Sequence, residues 1–300
     1  MHVVIAGGSG FVGKALQERL LQNGHEITIL TRNRGKVADS NRLRAVEWLN
    51  SNSEPEKYLS SVDAIINLAG ESINGFRWTV AKKKQIIESR IRATREIVRL
   101  IEKLDPKPKV LVNGSAVGYY GISDVETFTE ESKPHASDFL ASVVRKWEAE
   151  AVQAEKHGVR TVFARLGVVL GKEGALPLMA LPYKMGFGGR VGSGNQWVPW
   201  IHQADAAGLL LLAVENESIT GPLNVTAPNL EKNNEFGKTI GKVLHRPHWM
   251  PVPSFAMKAM LGEMSEMLLR GQCAIPQKAE QNGYHFQYPN LEQALENILR

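Results

Sequence analysis

The chain has few of the features that are typical of disulfide-bonded, membrane-spanning or metal-binding proteins. Its 300 residues include one cysteine, Cys273, so no disulfide can form within the chain. The longest apolar helical run, residues 206–214, is too short to cross a bilayer, and the N-terminus lacks the basic segment of a signal peptide. No cysteines, histidines or carboxylates have the spacing of metal ligands, so we expect no metal site. We therefore expect a cytoplasmic protein.

Charge does not point to nucleic acid. The chain has 36 Lys and Arg against 31 Asp and Glu, a net charge of +5, and its basic residues are dispersed. The only basic run, residues 82–84, lies in a helical pattern and is predicted to form a solvated face. No aromatic platform accompanies it. We expect neither a nucleic-acid nor a membrane partner, and the mild positive charge suits an anionic small ligand.

Strand and helix patterns alternate through the first half of the chain. Long helices are predicted at about 79–104 and 137–157. Such alternation requires right-handed crossovers and a parallel sheet. We predict an α/β fold, a Rossmann-like doubly wound parallel sheet with a smaller C-terminal lobe. The predicted strands are the opening run and residues 26–30, 45–48, 63–69, 109–113, 160–165 and 223–226.

The chain changes character after Gly171. Glycine and proline are frequent from 174 to 199 and predict irregular loops or short strands that can close over a ligand. From about residue 251 the pattern predicts small helices. Methionines at their spacing are interpreted as core residues, namely Met257, Met260, Met264 and Met267.

These patterns divide the chain in two. The sheet domain is predicted to comprise residues 1–170 together with strand and helix segments at about 198–227. The smaller C-terminal lobe would comprise 171–197 and 228–300, with a helical tail at about 250–298.

The opening strand leads directly into three glycines spaced three apart, and a helical pattern follows. Gly7 would allow a tight turn, Gly10 the close approach of a phosphate, and Gly13 the packing of the helix on the strand. This placement predicts a dinucleotide-binding turn. Its expected cofactor contacts are Gly7, Gly8, Ser9, Gly10, Phe11, Val12 and Gly13.

The end of the second strand distinguishes the two nicotinamide dinucleotides. An acid there would bind the ribose 2′-hydroxyl of NAD(H) and repel the 2′-phosphate of NADP(H). This chain has Thr31 and Arg32 instead, and the acid Asp39 comes several residues too late. A guanidinium can hold a phosphate through paired hydrogen bonds, and a hydroxyl can donate another. The sequence therefore predicts NADP(H).

These residues resemble the extended short-chain dehydrogenase/reductase superfamily. Residues 67–70, Asn-Leu-Ala-Gly, look like the motif that closes its fourth strand. Residues 114–121 are similar to the end of its fifth strand, which normally supplies an active-site serine or threonine. Residues 200–205 resemble the strand-to-helix segment that completes the larger members. The resemblance covers nearly the whole chain.

The resemblance breaks at the usual proton-transfer pair. Those enzymes carry Tyr-x-x-x-Lys on the helix after strand five, where the lysine lowers the tyrosine pKa and the phenol exchanges a proton with the substrate. Here Phe139 stands near the tyrosine position and Val143 near the lysine position. Shifting the alignment by one gives Leu140 and Val144. The pair is absent in both alignments.

That absence, with Trp147-Glu148 and the pattern over 189–202, is similar to an atypical extended "epimerase family" subgroup. Its members are related by name to nucleotide-sugar epimerases and carry a short helical C-terminal segment of unknown function, here about 251–299. The resemblance implies further cofactor contacts by position, at Leu68, Ala69, Gly70, Arg90 and Val169. For Arg90, a surface ion pair on the helix with Glu88 or one of its neighbours is the alternative.

Few hydroxyls are placed to handle a proton. Ser115 is the best placed, and Tyr119 or Tyr120 follow on the same loop. A phenol of ordinary pKa, about 10, is a poor base at neutral pH without a nearby lysine. Lys146 is expected to be solvent-exposed. We name Ser115 and Tyr120 as the catalytic candidates.

The glycine-rich segment supplies candidate substrate residues. Indoles stack on planar or sugar-like faces, which suggests Trp200 beside Gln196. His202 has a suitable pKa for a general acid. The alternative is a structural hydrogen bond that anchors the strand end before Asp205. The substrate candidates are Gln196, Trp200 and His202.

Two functions stay open. One is an NADP(H)-dependent oxidoreductase or epimerase-like enzyme with a non-standard proton donor and a small-molecule substrate, favoured by Ser115 and the aromatic glycine-rich segment. The other is a catalytically inactive NADP(H)-binding sensor or interaction protein, favoured by the missing pair. Extended relatives often dimerise through the two long helices, so a homodimer is expected by analogy.

Overall fold

The structure is a computed structural model that describes residues 1–37, 39–73, 77–135 and 138–300. Its central element is a parallel sheet of seven strands. The strands are β1 (His2–Ala6), β2 (Glu26–Thr31), β3 (Leu43–Glu47), β4 (Ala64–Asn67), β5 (Val110–Ala116), β7 (Arg160–Leu166) and β11 (Gly221–Val225). They follow the order β3-β2-β1-β4-β5-β7-β11, and each neighbouring pair is parallel. The strand order therefore changes direction between β1 and β4, and a crevice forms there at the carboxyl ends of the strands. The predicted fold is confirmed.

Short strands pair outside this sheet. Within the described ranges they are β6 (Thr127–Phe128) with β13 (Cys273–Ala274), β8 (Val168–Leu170) with β10 (Trp200–His202), and β9 (Trp197–Val198) with β12 (Glu231–Lys232).

Helices cover both faces of the large sheet. The described helices are α1 (Phe11–Gln22), α2 (Val80–Lys103), α3 (Phe139–Ala151), α4 (Leu176–Lys184), α5 (Gln203–Glu215), α6 (Asn233–Leu244), α7 (Ser254–Leu261), α8 (Glu266–Leu269), α9 (Gln277–Gln281) and α10 (Leu291–Leu299). Helices α1 and α5 pack on one face, and α2 and α3 pack on the other. None of the described helices has the length and apolarity needed to cross a bilayer.

Successive residues of β1 fill two different cores. Val3 and Ile5 pack with buried side chains of α1 and α5, whereas Val4 and Ala6 pack with those of α2 and α3. Because helices cover both faces of the sheet, both sets of side chains are buried. This explains why the strands appear in the sequence as continuous apolar runs.

The second long helix is shorter than predicted. Asp138 caps α3 by accepting a hydrogen bond from the Ala141 amide at 2.8 Å, and the helix ends at Ala151. A 3₁₀ turn continues from Val152 to His157. The predicted starting residue, Ser137, lies outside the described residues.

The expectation of irregular chain from 174 to 199 was wrong for its first part, which forms α4. Its first-turn proline is compatible with a helix, because that position needs no intrahelical N–H donor. Leu176, Ala180 and Tyr183 recur at helical spacing and are buried in a third core around Trp200.

The interpretation of the four methionines as core was also wrong. Met260 and Met267 are 54% and 40% exposed, and Met257 and Met264 are half-buried. The reason is that α7, like α8, buries none of its residues. It rests on the surface instead of entering a core.

Candidate dinucleotide-binding site

The glycine turn after β1 has room for backbone only. Gly7 has φ +80°, and a Cβ there would lie 2.6 Å from the carbonyl carbon of Leu68. A Cβ at Gly13 would lie 2.4 Å from the carbonyl oxygen of Gly8. Both contacts are far closer than a Cβ can make, so both positions require glycine. The turn is thereby held against the end of β4.

The N-terminus of α1 offers free backbone donors. Gly10 is its N-cap and has no side chain to accept from the first turn. The Gly10 amide donates to the Gly7 carbonyl at 3.1 Å, and Gln17 Nε2 donates to the Gly8 carbonyl at 2.8 Å, which fixes the turn. The amides of the first helical turn, together with the helix dipole, favour an anion. The residues present therefore fit the pyrophosphate of a dinucleotide.

The loop after β8 lies against the same turn. A Cβ at Gly171 would be 2.5 Å from the Phe11 ring, and one at Gly174 would be 3.2 Å from it. Lys14 and Glu173 form an ion pair at 3.0 Å. Val169 lies in β8, half-buried and paired with Ile201. The loop that leaves β8 is thus anchored to α1.

At the end of β2 only one of the two predicted phosphate ligands is available. The Thr31 hydroxyl donates to the Asn33 carbonyl at 3.1 Å and accepts from the Asn33 amide at 3.2 Å, so it is used locally. Arg32 is exposed. The guanidinium of Arg32 is therefore the group that this strand end can offer to a phosphate.

Arg90 reaches from α2 toward the end of β4. Its Nη1 donates to the Glu71 and Ile86 carbonyls, each at 3.0 Å, and its guanidinium lies over the Trp147 ring at 5.1 Å. Burial lowers the pKa of Arg90 to about 10. The alternative pairing with Glu88 is not formed; that carboxylate faces Lys84 at 3.7 Å. Arg90 thus fixes the backbone after Gly70.

Ser115 belongs to a buried ionic cluster. Its hydroxyl donates to Glu148 Oε1 at 2.5 Å, and Glu148 accepts two hydrogen bonds from Arg165, each at 3.0 Å. All three side chains are buried. The cluster joins β5, α3 and β7, and it occupies the Ser115 hydroxyl. Its catalytic role stays a prediction.

The two adjacent tyrosines have different surroundings. Tyr120 is fully buried and donates to Asn224 Oδ1 at 2.7 Å, and burial raises its pKa to about 12. Tyr119 is half-buried, and the Arg165 guanidinium lies 3.5 Å from its ring centroid. The surroundings of Tyr120 are those of a core residue. The catalytic assignment of Tyr120 also stays a prediction.

The three candidate substrate residues lie inside the protein. Gln196 donates to the Val191 and Leu268 carbonyls at 3.0 and 2.7 Å. Trp200 is fully buried and donates to the Asn229 carbonyl at 3.0 Å.

His202 caps α5 by accepting from the Ala204 amide at 3.1 Å and contacts Asn297 Oδ1 at 3.1 Å. Its surroundings match the structural alternative. Burial lowers its pKa.

The basic run was misjudged from the sequence. Lys82 pairs with Glu71 at 2.7 Å, and Lys83 pairs with Glu263 and lies 5.0 Å from the centre of the Phe139 ring. Their side chains are 23% and 26% exposed, against 72% for Lys84. The prediction of a solvated face was therefore wrong for two of the three lysines. On a helical wheel, Lys82 and Lys83 lie on the side of the buried residues of α2, and Lys84 lies on the opposite side. Their partners could not be predicted in this way, because Glu71 and Glu263 lie outside the helix.

Sequence reasoning also missed Glu71. It follows the Asn-Leu-Ala-Gly motif directly, and that adjacency was the available signal.

In the described part of the chain, no group of three or more His, Cys, Asp or Glu residues is arranged to hold a metal ion. No tyrosine in the sequence has a lysine four residues later.

Comparisons with known proteins agree with this geometry. The profile of the NAD dependent epimerase/dehydratase family matches residues 3–225, and a domain of unknown function, DUF1731, matches residues 252–298. Epimerase family protein YfhF of Bacillus subtilis is 49% identical over 299 residues, covering 100% of this chain and 98% of its own.

Two solved structures share the fold. The crystal structure of human epimerase family protein SDR39U1 (isoform 2) with NADPH has a TM-score of 0.87 and 36% identity, covering 99% of both chains. UDP-glucuronic acid 4-epimerase of Bacillus cereus has a TM-score of 0.80 at 17% identity, covering 99% of this chain and 97% of its own, and shows the fold alone. With a seven-stranded parallel sheet over the described residues and a glycine turn at its crevice, the chain belongs to the NAD dependent epimerase/dehydratase family.

Proposed function

We propose that the protein binds NADP(H) at the glycine turn and is an oxidoreductase for a small molecule with a hydroxyl or carbonyl group. The observation that best supports cofactor binding is the glycine turn, where a Cβ at Gly7 or Gly13 would collide with backbone beside the uncapped start of α1. Arg32 follows β2 where NAD-selective proteins have an acid. That the human relative was solved with NADPH supports the same choice.

Each part of the cofactor has a proposed partner in the chain. The first-turn amides of α1 would bind the pyrophosphate, and Arg32 the 2′-phosphate. The backbone of Leu68, Ala69 and Gly70 would line the dinucleotide, held in place by Arg90, and Val169 would lie near the nicotinamide. When bound, NADP(H) supplies hydride exchange with a carbon that carries a hydroxyl or carbonyl group.

The chain's own contribution to proton transfer is unusual. The hydroxyls of Ser115 and Tyr120 are donated to Glu148 and Asn224, so proton exchange through either hydroxyl requires release of that hydrogen bond. Phe139 and Val143 stand where the superfamily carries tyrosine and lysine, and neither can exchange a proton. We therefore keep Ser115 and Tyr120 as the proposed proton-exchange groups, which act only when released from these partners.

A second function is favoured by the same contacts. If neither hydroxyl is released when the cofactor binds, the protein would hold NADP(H) without using it. It would then act as a sensor of the cofactor or as an interaction protein. The burial of the substrate candidates Gln196, Trp200 and His202 supports this alternative.

A fluorescence titration followed by a turnover screen separates the two functions. NADPH fluorescence is titrated with the purified protein, and NADPH consumption is then followed with aldehydes, ketones and nucleotide sugars. Binding with consumption of any one substrate supports the oxidoreductase. Binding without consumption across the panel supports the sensor, and failure to bind NADPH contradicts both.

Three narrower expectations complete the proposal. The protein is cytoplasmic, and it forms a homodimer through α2 and α3, which sedimentation velocity would test. The sheet domain comprises residues 1–170 with about 198–227, and the smaller lobe comprises 171–197 with 228–300. Limited proteolysis would test that division by the positions of the first cuts.

A further inference from the structure

We propose that Glu71 and Lys82 together set the preference between 2′-phosphorylated and unphosphorylated dinucleotides. Lys82 neutralises Glu71, and this leaves Arg32 available to the 2′-phosphate. The inference rests on the proposed function, because it concerns the same cofactor site. It assigns cofactor selectivity to Lys82 in α2 and to Glu71 in the loop after β4, whereas the sequence pointed only to the end of β2.

The position of Glu71 is fixed by its backbone. Its amide donates to Ser89 Oγ at 3.0 Å, and its carbonyl accepts from Arg90 Nη1 at 3.0 Å. Both partners lie on α2. The residue therefore stays at the carboxyl end of β4, one position after Gly70, beside the crevice between β1 and β4.

The charge of Glu71 interacts with three cations. The hydrogen bond from Lys82 lowers the pKa of Glu71, and the positive charges of Arg32 and Arg90 lower it further. Arg32 and Glu71 follow strands that end at the same edge of the sheet, because β2 and β4 flank β1 in parallel and Ala6 pairs with both Leu30 and Asn67. A dianionic 2′-phosphate at Arg32 would experience the same carboxylate as a repulsive charge.

Lys82 removes that repulsion. Its Nζ lies 2.7 Å from Glu71 Oε1, and the two side chains are only 23% and 43% exposed, so solvent screens the pair incompletely. The Lys82 backbone is held by the N-cap of α2, where Thr79 Oγ1 accepts from the Lys82 amide at 3.1 Å. Without Lys82, Glu71 would pair with Arg32 or repel the phosphate. Either result weakens binding of NADPH, and neither repels the uncharged 2′-hydroxyl of NADH, which a carboxylate can accept as a hydrogen-bond donor.

The first experiment measures the dissociation constants of both cofactors for the wild type and Lys82→Met. We expect the variant to bind NADPH about tenfold more weakly, about 1.4 kcal/mol, because an unpaired carboxylate then lies near the 2′-phosphate. NADH should bind within about twofold of wild type. The loss should shrink at high salt, where charges are screened. Lys84→Met is the matched control, because Lys84 is 72% exposed and faces Glu88. Thermal melting checks that each variant is folded.

The second experiment is a double-mutant cycle with Glu71→Gln. If Lys82 acts by neutralising Glu71, Glu71→Gln binds NADPH at least as tightly as wild type. The double variant Glu71→Gln/Lys82→Met then binds NADPH within about threefold of wild type. A tenfold loss that persists in the Glu71→Gln background means that Lys82 contacts the cofactor directly, and it overturns the inference.

Other outcomes are equally decisive. Equal losses for NADPH and NADH, or an unchanged affinity in Lys82→Met, overturn the inference while the proposed function stands. A wild-type protein that binds neither cofactor overturns the proposed function and this inference with it.

Discussion

At the scale of single residues, the choice of the proposed phosphate ligand at the end of β2 depends on which side chain is not already hydrogen-bonded to its neighbours. Thr31 and Arg32 are adjacent, and both carry groups that can donate to a phosphate. The Thr31 hydroxyl is used by Asn33, and Arg32 is exposed. Residue type alone could not separate them, because a local turn made the difference.

The assignment of Arg32 leads to a specific prediction. Arg32→Asp should weaken NADPH binding by about 100-fold, because a paired hydrogen bond to phosphate is lost and a repulsive charge is gained. NADH binding should change far less. Arg32→Lys should fall between the two, because it keeps the charge and loses the planar pair of donors. Fluorescence titration with both cofactors measures this, and equal losses for both would contradict the 2′-phosphate assignment.

At the scale of secondary-structure elements, the cluster of Ser115, Glu148 and Arg165 connects β5, α3 and β7. An ion pair this buried is stable only while both partners and their hydrogen bonds are present. The sequence showed Trp147-Glu148 as part of a family pattern but not what Glu148 touches. Its partners lie 33 and 17 residues away and meet it only because the two strands are neighbours.

Breaking this cluster should be costly. Glu148→Gln leaves Arg165 without its counter-charge, and we expect a loss of about 3–5 kcal/mol in the free energy of unfolding. Glu150→Gln is the control on the same helix, since Glu150 pairs with an Arg95 side chain that is 64% exposed. An exposed pair is worth at most about 1 kcal/mol. Chemical denaturation measures the free energy of unfolding of both variants. Equal losses would show that the buried ion pair stabilises the fold no more than the exposed one.

The N-cap of α5 should make stability depend on pH. Burial lowers the pKa of His202, so the folded protein binds this proton more weakly than the unfolded chain. The stability of the neutral cap is present above the ordinary histidine pKa of about 6.5 and is lost as the pH falls below it.

A non-titrating cap isolates this effect. His202→Asn can also cap a helix, so it should show a smaller loss of stability between about pH 6.5 and 5 than the wild type. Urea unfolding at several pH values tests this. Identical pH profiles for the two proteins would mean that other histidines cause the dependence.

At the scale of the whole molecule, the segment of residues 254–269 is attached to α2, and to Arg77 just before it, by few contacts. Arg77 donates to the Ala259 and Met260 carbonyls at the end of α7, and Lys83 pairs with Glu263. Because α7 and α8 bury none of their residues, apolar packing contributes little there, and these polar contacts help to hold the segment together with the hydrogen bond from Gln196 to the Leu268 carbonyl. Such regions open at low free-energy cost.

Removing these contacts should loosen the segment alone. Arg77→Ala/Lys83→Met should increase hydrogen exchange over residues 254–269 several-fold, with little change in the melting temperature, because the main cores are untouched. Lys84→Met should leave exchange unchanged. Exchange that rises equally across the sheet would indicate global destabilisation instead.

The sequence by itself determined the sheet and the glycine turn after β1. Both depend on local signals: apolar runs of strand length, glycines at fixed spacing and a basic residue after β2. Each of these is read within a few residues of the chain, which is why the parallel fold and the position of the turn were predicted correctly.

Only the tertiary structure decided which side chains remain available. Ser115, Tyr120, Gln196, Trp200 and His202 have residue types suited to catalysis or substrate binding, yet each is buried against groups far away in the sequence. Conversely, Glu71 and Lys82 had no motif of their own and are brought together where α2 meets the end of β4. Long-range packing decides burial and pairing, and that information is not local in the chain.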